Sequence, residues 1–289
     1  MRDSIHSVAV VGAGTMGQGI AQVCAAAGIK TLLYDVREEQ AVAARRSINN
    51  KLSQGVKKGI LSVREKERIL LQIEPVSQLT LVKADLIIEA AVENLEVKQE
   101  LFSSLEKINN GEAILATNTS SISITRIASG LNNPSVCIGL HFFNPADKMK
   151  LVEIISGHAT SPKLTAVMKL FTERIGKTAV FAKDSPGFIV NRVARHFYVE
   201  ALKLLEEKAA DVPAIDALMR SAGFKMGPFE LMDLIGLDTN LAVTRSVYEG
   251  FNRNPKFKPS VVQEQLVNSG CFGMKSGRGF YDYREKVGS

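Results

Sequence analysis

The chain has 289 residues, of which 45% are hydrophobic and 23% charged, with 22 Gly and 9 Pro in no regular period. That composition excludes intrinsic disorder and the collagen-like and low-complexity classes, and at about 150 residues per domain the length predicts roughly two domains. The net charge of +6 comes from scattered Lys and Arg, and Trp is absent. A basic balance of this kind fits an anionic small ligand better than nucleic acid.

Elements read in chain order alternate at first between strand and helix. Residues 8–11 form a continuous apolar run, as in a strand buried on both faces. A glycine turn follows, then an Ala-rich helix over 16–27 that Gly28 stops. A second strand over 31–34 ends at Asp35. A charged helix spans 38–54, with Ala41, Ala44, Ile48 and Leu52 on one face. Strands at 86–88, 113–116, 136–140 and 151–155 and a helix at 95–108 continue the pattern. Strands separated by helices predict βαβ units and a mostly parallel sheet. Ser185-Pro186-Gly187 breaks the pattern, and beyond it strand signals nearly vanish. A long helix over 188–208 carries Val190, Val193, Phe197, Ala201 and Leu204 as a stripe. Further helices are predicted over 213–222, 228–235, 238–248 and 260–268. The expected organisation is an α/β domain over 1–185 and an all-α domain over 186–289.

Cys24, Cys137 and Cys271 are odd in number and form no CxxC. Neither a disulfide framework nor a metal site is expected, and a reducing compartment fits best. No apolar run reaches the roughly 18 residues of a membrane span. Residues 1–7 leave no room for a targeting peptide, so a cytoplasmic protein without membrane contact is expected.

Val10-Val11-Gly12-Ala13-Gly14-Thr15-Met16-Gly17 contains G-x-G-x-x-G between a strand and a helix. In that setting Gly12 permits the tight turn, Gly14 lets the backbone approach a pyrophosphate, and Gly17 lets helix pack on strand. The helix start at Thr15 and Met16 offers amide N–H groups and a positive dipole end to phosphates. Asp35, 18 residues after Gly17, is placed to accept from a ribose 2′-hydroxyl and to repel a 2′-phosphate. It therefore favours NAD over NADP. Arg37, two residues on, could soften that preference.

Asn118-Thr119-Ser120-Ser121 lies at the carboxyl end of a predicted strand, where open α/β sheets bind ligands. Ser121 and Ser123 read better as turn or cap residues. His141 also ends a strand. The next strand, Leu151-Val152-Glu153-Ile154-Ile155, carries a charge inside an apolar run. A buried carboxylate is costly unless paired, and His141 is its obvious partner. Such a pair fixes the imidazole tautomer, as a general base requires. No G-x-S-x-G is present, which argues against a hydrolase triad. Asn191 sits in an apolar stretch at the predicted domain junction, where clefts form.

Taken together these segments resemble the short-chain L-3-hydroxyacyl-CoA dehydrogenases, and within them the bacterial 3-hydroxybutyryl-CoA enzymes. The resemblance rests on the glycine loop through Ala21, Ile88-Glu89-Ala90-Ala91-Val92-Glu93, Thr117 to Ser121 and His141-Phe142-Phe143-Asn144-Pro145. Beyond these come Lys183 to Arg192, Gly227 to Asp233 and Gly277 to Tyr281, so it covers nearly the whole chain. It implies an N-terminal Rossmann-type NAD domain and a helical C-terminal domain that completes the substrate cleft and forms a homodimer. It implies reversible oxidation of a short-chain (S)-3-hydroxyacyl-CoA in fatty-acid or butanoate metabolism. His141 would be the base, oriented by Glu153, with Ser120 and Asn191 on the substrate oxygen and Asn144 nearby. Glu93, Lys98 and Asn118 would lie near the nicotinamide, and Lys51 and Lys58 would reach coenzyme A. Those two lysines share a face if the second helix runs on through Gly55. With no fused hydratase segment, the chain looks monofunctional. The rival readings are a related dehydrogenase of a free hydroxy or sugar acid, which Phe142-Phe143-Asn144-Pro145 disfavours, and a catalytically silent NAD-binding protein.

Overall fold

Eight strands in one sheet organise the first part of the chain in the computed structural model, which describes residues 4–284. In chain order the elements are β1 (Ser7–Val11), α1 (Thr15–Ala26), β2 (Lys30–Tyr34), α2 (Glu38–Lys57), α3 (Val63–Leu71), β3 (Ile73–Val76) and β4 (Leu86–Glu89). They continue with α4 (Leu95–Ile108), β5 (Ile114–Thr117), α5 (Ile124–Ala128), β6 (Cys137–Phe142), β7 (Leu151–Ser156), α6 (Pro162–Arg174) and β8 (Thr178–Lys183). The strand order is β3-β2-β1-β4-β5-β6-β7-β8, and only the β6–β7 pair is antiparallel. Strand order reverses between β1 and β4, the crevice where such sheets bind ligands. β4, β5 and β6 are buried along their whole length, which is why they read as unbroken apolar runs.

Four elements go beyond the sequence expectation. α3 is set by the Ser62–Glu65 capping box. β3 contains Pro75 and is an edge strand, where a missing N–H is tolerated. α6 begins with Pro162 and buries Leu164, Val167, Met168 and Phe171 at three- and four-residue steps. β8 is the other edge: its Ala179-Val180-Phe181-Ala182 run is apolar, but Val180 and Phe181 are exposed rather than buried on both faces. α2 runs through Gly55 to Lys57, with Lys58 as its cap, so the helix reaches the end of the Lys51–Lys58 interval.

Compactness divides the chain into residues 1–184 and 185–289. The second unit holds α7 (Val190–Glu206), α8 (Val212–Ser221), α9 (Pro228–Ile235), α10 (Leu237–Gly250) and α11 (Val261–Asn268). Its core joins Tyr198, Leu202, Ile215, Phe229, Met232 and Leu237. The expected α7 stripe is only partly core: Val193 is 67% exposed, and Arg195, Tyr198, Val199, Ala201 and Leu202 are buried. The core-facing side is rotated because Arg195 is taken inside. Its guanidinium donates to the Asn240 carbonyl and Thr244 Oγ1 of α10.

Two buried carboxylates tie this unit together. Asp216 accepts from the Phe229 and Glu230 amides at the start of α9 and from the Tyr281 hydroxyl. Asp233 accepts from the Phe280 and Tyr281 amides and the Tyr283 hydroxyl. A Cβ on Gly279 would lie 2.0 Å from Asp233 Oδ1, and one on Gly227 2.2 Å from Asp216 Oδ1. Burial raises the Asp233 carboxyl above its ordinary range, more than its hydrogen bonds lower it.

Candidate active site

The glycine loop joins β1 to α1 at the switch point. Gly12 has φ +103°, and a Cβ there would lie 2.5 Å from the Ala90 carbonyl oxygen. A Cβ on Gly17 would lie 1.7 Å from the Gly12 oxygen, so neither position admits a side chain. Gly14 differs: its Cβ would meet nothing within 4 Å. The open space beside that backbone, at a helix start with no acidic residue in its first turn, suits a pyrophosphate. The first-turn amides of Thr15, Met16 and Gly17 have no intrahelical acceptor and face the same end. Asp35 braces the loop, accepting from the Ala13 amide at 2.8 Å and from the Arg37 amide at 3.1 Å. It is half-buried, and each carboxylate oxygen keeps a second lone pair for a ribose hydroxyl.

The ends of β4 and β5 carry a polar cluster. Glu89 is fully buried and accepts from Lys98 Nζ at 2.7 Å, the Ala91 amide at 2.6 Å and Thr117 Oγ1 at 2.6 Å. Lys98 is equally buried and also reaches Glu93 Oε2 at 3.3 Å. Glu93 in turn accepts from Thr119 Oγ1, the Ser120 amide and Ser121 Oγ. Burial pushes the Glu93 carboxyl up, but the Lys98 ammonium and the Thr119 and Ser120 hydrogen bonds together hold it below its ordinary range. Glu89 is a functional residue that the sequence marks only within its motif, although, like Glu153, it is a charge at an apolar run and needs a partner.

His141 and Glu153 sit directly opposite each other on β6 and β7, the antiparallel pair. His141 Nδ1 lies 2.8 Å from Glu153 Oε2, with Glu153 fully buried and His141 6% exposed. With the ionised carboxylate as acceptor, Nδ1–H is the donor and Nε2 carries the lone pair. The Phe143 ring packs on the imidazole at 4.5 Å between centroids. Asn118 lies one strand away, and its Oδ1 accepts from the Phe142 amide at 2.8 Å, tying the end of β5 to the end of β6.

The other predicted residues fall as follows. Ser120 follows β5 in the Glu93 cluster. Ser123 caps α5, accepting from the Arg126 amide, and its hydroxyl donates to Asp184. Asn144 is exposed on the connection after β6, beside a cavity of about 290 Å³ that Lys51 also lines. Lys51 pairs with Asp147 at 2.6 Å, and Lys58 is exposed. Asn191 belongs to the second unit, in the first turn of α7. His6 and His158 are exposed. Among the described residues no cluster of His, Cys, Asp or Glu could hold a metal ion, and no helix is long and apolar enough to cross a membrane.

A mostly parallel sheet with an open glycine loop at its switch point, and a buried His–carboxylate pair that begins three strands from β1, defines a dinucleotide-dependent oxidoreductase. The model of the 3-hydroxyacyl-CoA dehydrogenase NAD-binding domain matches residues 7–185, and that of the family's C-terminal domain matches residues 187–283. The chain belongs to the 3-hydroxyacyl-CoA dehydrogenase family. It is 49% identical to the 3-hydroxyadipyl-CoA dehydrogenase of Escherichia coli K12 over 98% of its own length, but it spans only 60% of that relative. It is 42% identical to a probable 3-hydroxybutyryl-CoA dehydrogenase of Bacillus subtilis, covering 98% of this chain and 99% of that protein. The crystal structure of an (S)-3-hydroxybutyryl-CoA dehydrogenase from Ralstonia eutropha matches with a TM-score of 0.93 at 38% identity, over 97% of this chain and 99% of that one.

Proposed function

We propose that this chain catalyses the reversible NAD-dependent oxidation of short-chain (S)-3-hydroxyacyl-CoA, 3-hydroxybutyryl-CoA foremost, to the 3-oxoacyl-CoA. The His141–Glu153 pair carries the reading. NAD supplies the hydride acceptor when bound. The residues fit it: Gly12, Gly14 and Gly17 with Thr15 and Met16 at the pyrophosphate, Asp35 at the adenine ribose, and Glu93, Lys98 and Asn118 toward the nicotinamide side. His141 takes the hydroxyl proton at Nε2 as the carbon–hydrogen bond breaks. Glu153 holds Nδ1–H and stabilises the imidazolium. Ser120 and Asn191 donate to the oxygen, where the 3-oxo group forms. Lys51 and Lys58 contact the coenzyme A portion, and Asn144 binds the substrate near its reacting end.

The test is NADH oxidation with a series of 3-oxoacyl-CoA substrates. Acetoacetyl-CoA should be the best of them. A free 3-oxo acid or sugar acid turning over faster than any thioester would overturn the assignment. A second substrate, 3-oxoadipyl-CoA, belongs in the series because the Escherichia coli relative carries the corresponding name at 49% identity. The same reading includes a cytoplasmic homodimer formed through the helical unit. Sedimentation at a monomer mass of 31.4 kDa would overturn the dimer.

A further inference from the structure

The ion pair between Lys51 and Asp147 joins residues 96 apart, tying α2 to the connection between β6 and β7. It lies on the cavity of about 290 Å³ whose wall also includes Thr15, Gln18, Ser47 and Asn144. Thr15 directly follows Gly14, and Asn144 lies three residues after His141, so this wall adjoins both the nucleotide loop and the end of the catalytic strand. The two partners are held unequally. Lys51 is 45% exposed on a flexible four-carbon stem, while Asp147 is 15% exposed. The backbone around Asp147 is clamped from beneath: the buried Lys177 ammonium donates to the Ala146 carbonyl at 2.6 Å and the Met149 carbonyl at 2.8 Å. Lys51 can therefore swing away, and the Asp147 carboxylate stays.

We propose that Asp147 is a specificity-determining residue of the acyl-CoA site, holding Lys51 until a substrate phosphate displaces it. The inference rests on the reading of Lys51 as a coenzyme A contact. A phosphate group carries more charge than a carboxylate and three strong acceptor oxygens, so it can win an exposed ammonium from Asp147. The exchange leaves the clamped carboxylate beside the phosphate it has just admitted. That repulsion weakens binding of any thioester bearing the nucleotide and leaves short thioesters untouched. Asp147 thus tunes how strongly the enzyme distinguishes the full coenzyme from a truncated carrier.

The experiment is a cycle of Asp147→Asn, Lys51→Ala and the double variant, assayed with acetoacetyl-CoA and with its N-acetylcysteamine thioester, which has no phosphate. Asp147→Asn should lower KM for acetoacetyl-CoA about three- to tenfold at low ionic strength, with the change in KM rather than kcat. The gain should shrink at about 0.5 M salt, in the Lys51→Ala background and with the truncated thioester. Asp147→Ser should reproduce it, because the charge and not the amide is responsible. An unchanged or raised KM in Asp147→Asn, with Lys51→Ala still weakening acetoacetyl-CoA, overturns this inference and leaves the Lys51 reading intact. If Lys51→Ala leaves KM for acetoacetyl-CoA unchanged at low salt, the Lys51 reading itself fails, and the exchange fails with it.

Discussion

Glu153 and Glu89 are strand residues and Glu93 lies on the connection after β4; His141 meets the first and Lys98 the other two. Glu153 is buried beside the His141 imidazole, so removing either partner strands a buried polar group. Replacing His141 with Gln should cut kcat at least about 10²-fold while NADH still binds, since in the proposed mechanism the lost group is the base and it lies outside the glycine loop. Stopped-flow turnover beside an NADH titration measures both, and near-normal turnover would refute the role. Glu153→Gln should also slow turnover, by at least about tenfold, because an amide cannot stabilise the imidazolium. A wild-type rate with acetoacetyl-CoA would show that the pair is only structural. Glu93 is 40% exposed and its carboxyl lies below the ordinary 4.5. A carboxyl depressed in the fold adds stability above its unfolded pKa, and loses it as pH falls through the lower folded value. Glu93→Gln should therefore flatten the fall in Tm between about pH 5 and pH 3. Thermal melts across that range check it, and parallel curves for the two proteins would contradict the pairing with Lys98.

At the scale of elements, the β1–α1 junction works because two glycines admit backbone where a methyl group cannot go. The Gly12 carbonyl fills the position a Gly17 Cβ would take, at 1.7 Å. Gly17→Ala must push α1 away from the loop. It should lower stability by about 1–3 kcal/mol and weaken NADH at least about tenfold. Fluorescence titration and denaturant melts report the two effects. Gly14→Ala, facing open space, should fold normally and lose only NADH affinity. Equal stability losses in the two variants would show that both glycines serve packing alone. The α9–tail unit depends on the same principle, with the Asp216 and Asp233 carboxylates occupying the space over Gly227 and Gly279.

Across the whole molecule, the thiols are distributed unequally. Cys24 is buried on α1 and Cys137 within β6, whereas Cys271 is half-exposed in the second unit. Burial pushes the Cys24 thiol up to about 12 and raises Cys137 further, so neither forms thiolate at neutral pH. A thiol reagent should label one cysteine in the native protein and all three after denaturation. Native labelling of Cys24 or Cys137 would mean that the first unit opens on the labelling timescale.

Local pattern alone was enough for the alternating βαβ order, the glycine loop with Asp35, and the His141–Glu153 pairing. Each is a matter of period or of a charge inside an apolar run, and such features survive without long-range context. The edge strand β8 does carry an apolar run, Ala179-Val180-Phe181-Ala182, and was missed although the signal was present. The edge element β3 was not legible, because Glu74 and Pro75 interrupt the apolar run that marks a strand. The inward turn of Arg195 on α7 was equally hidden. It depends on acceptors in α10, 45 and 49 residues away. The Lys98–Glu89 contact and the Lys51–Asp147 pair likewise form only when separate elements converge. A charge in a sequence announces its cost of burial; which opposite charge or dipole meets that cost is decided by the packing of the sheet and its helices.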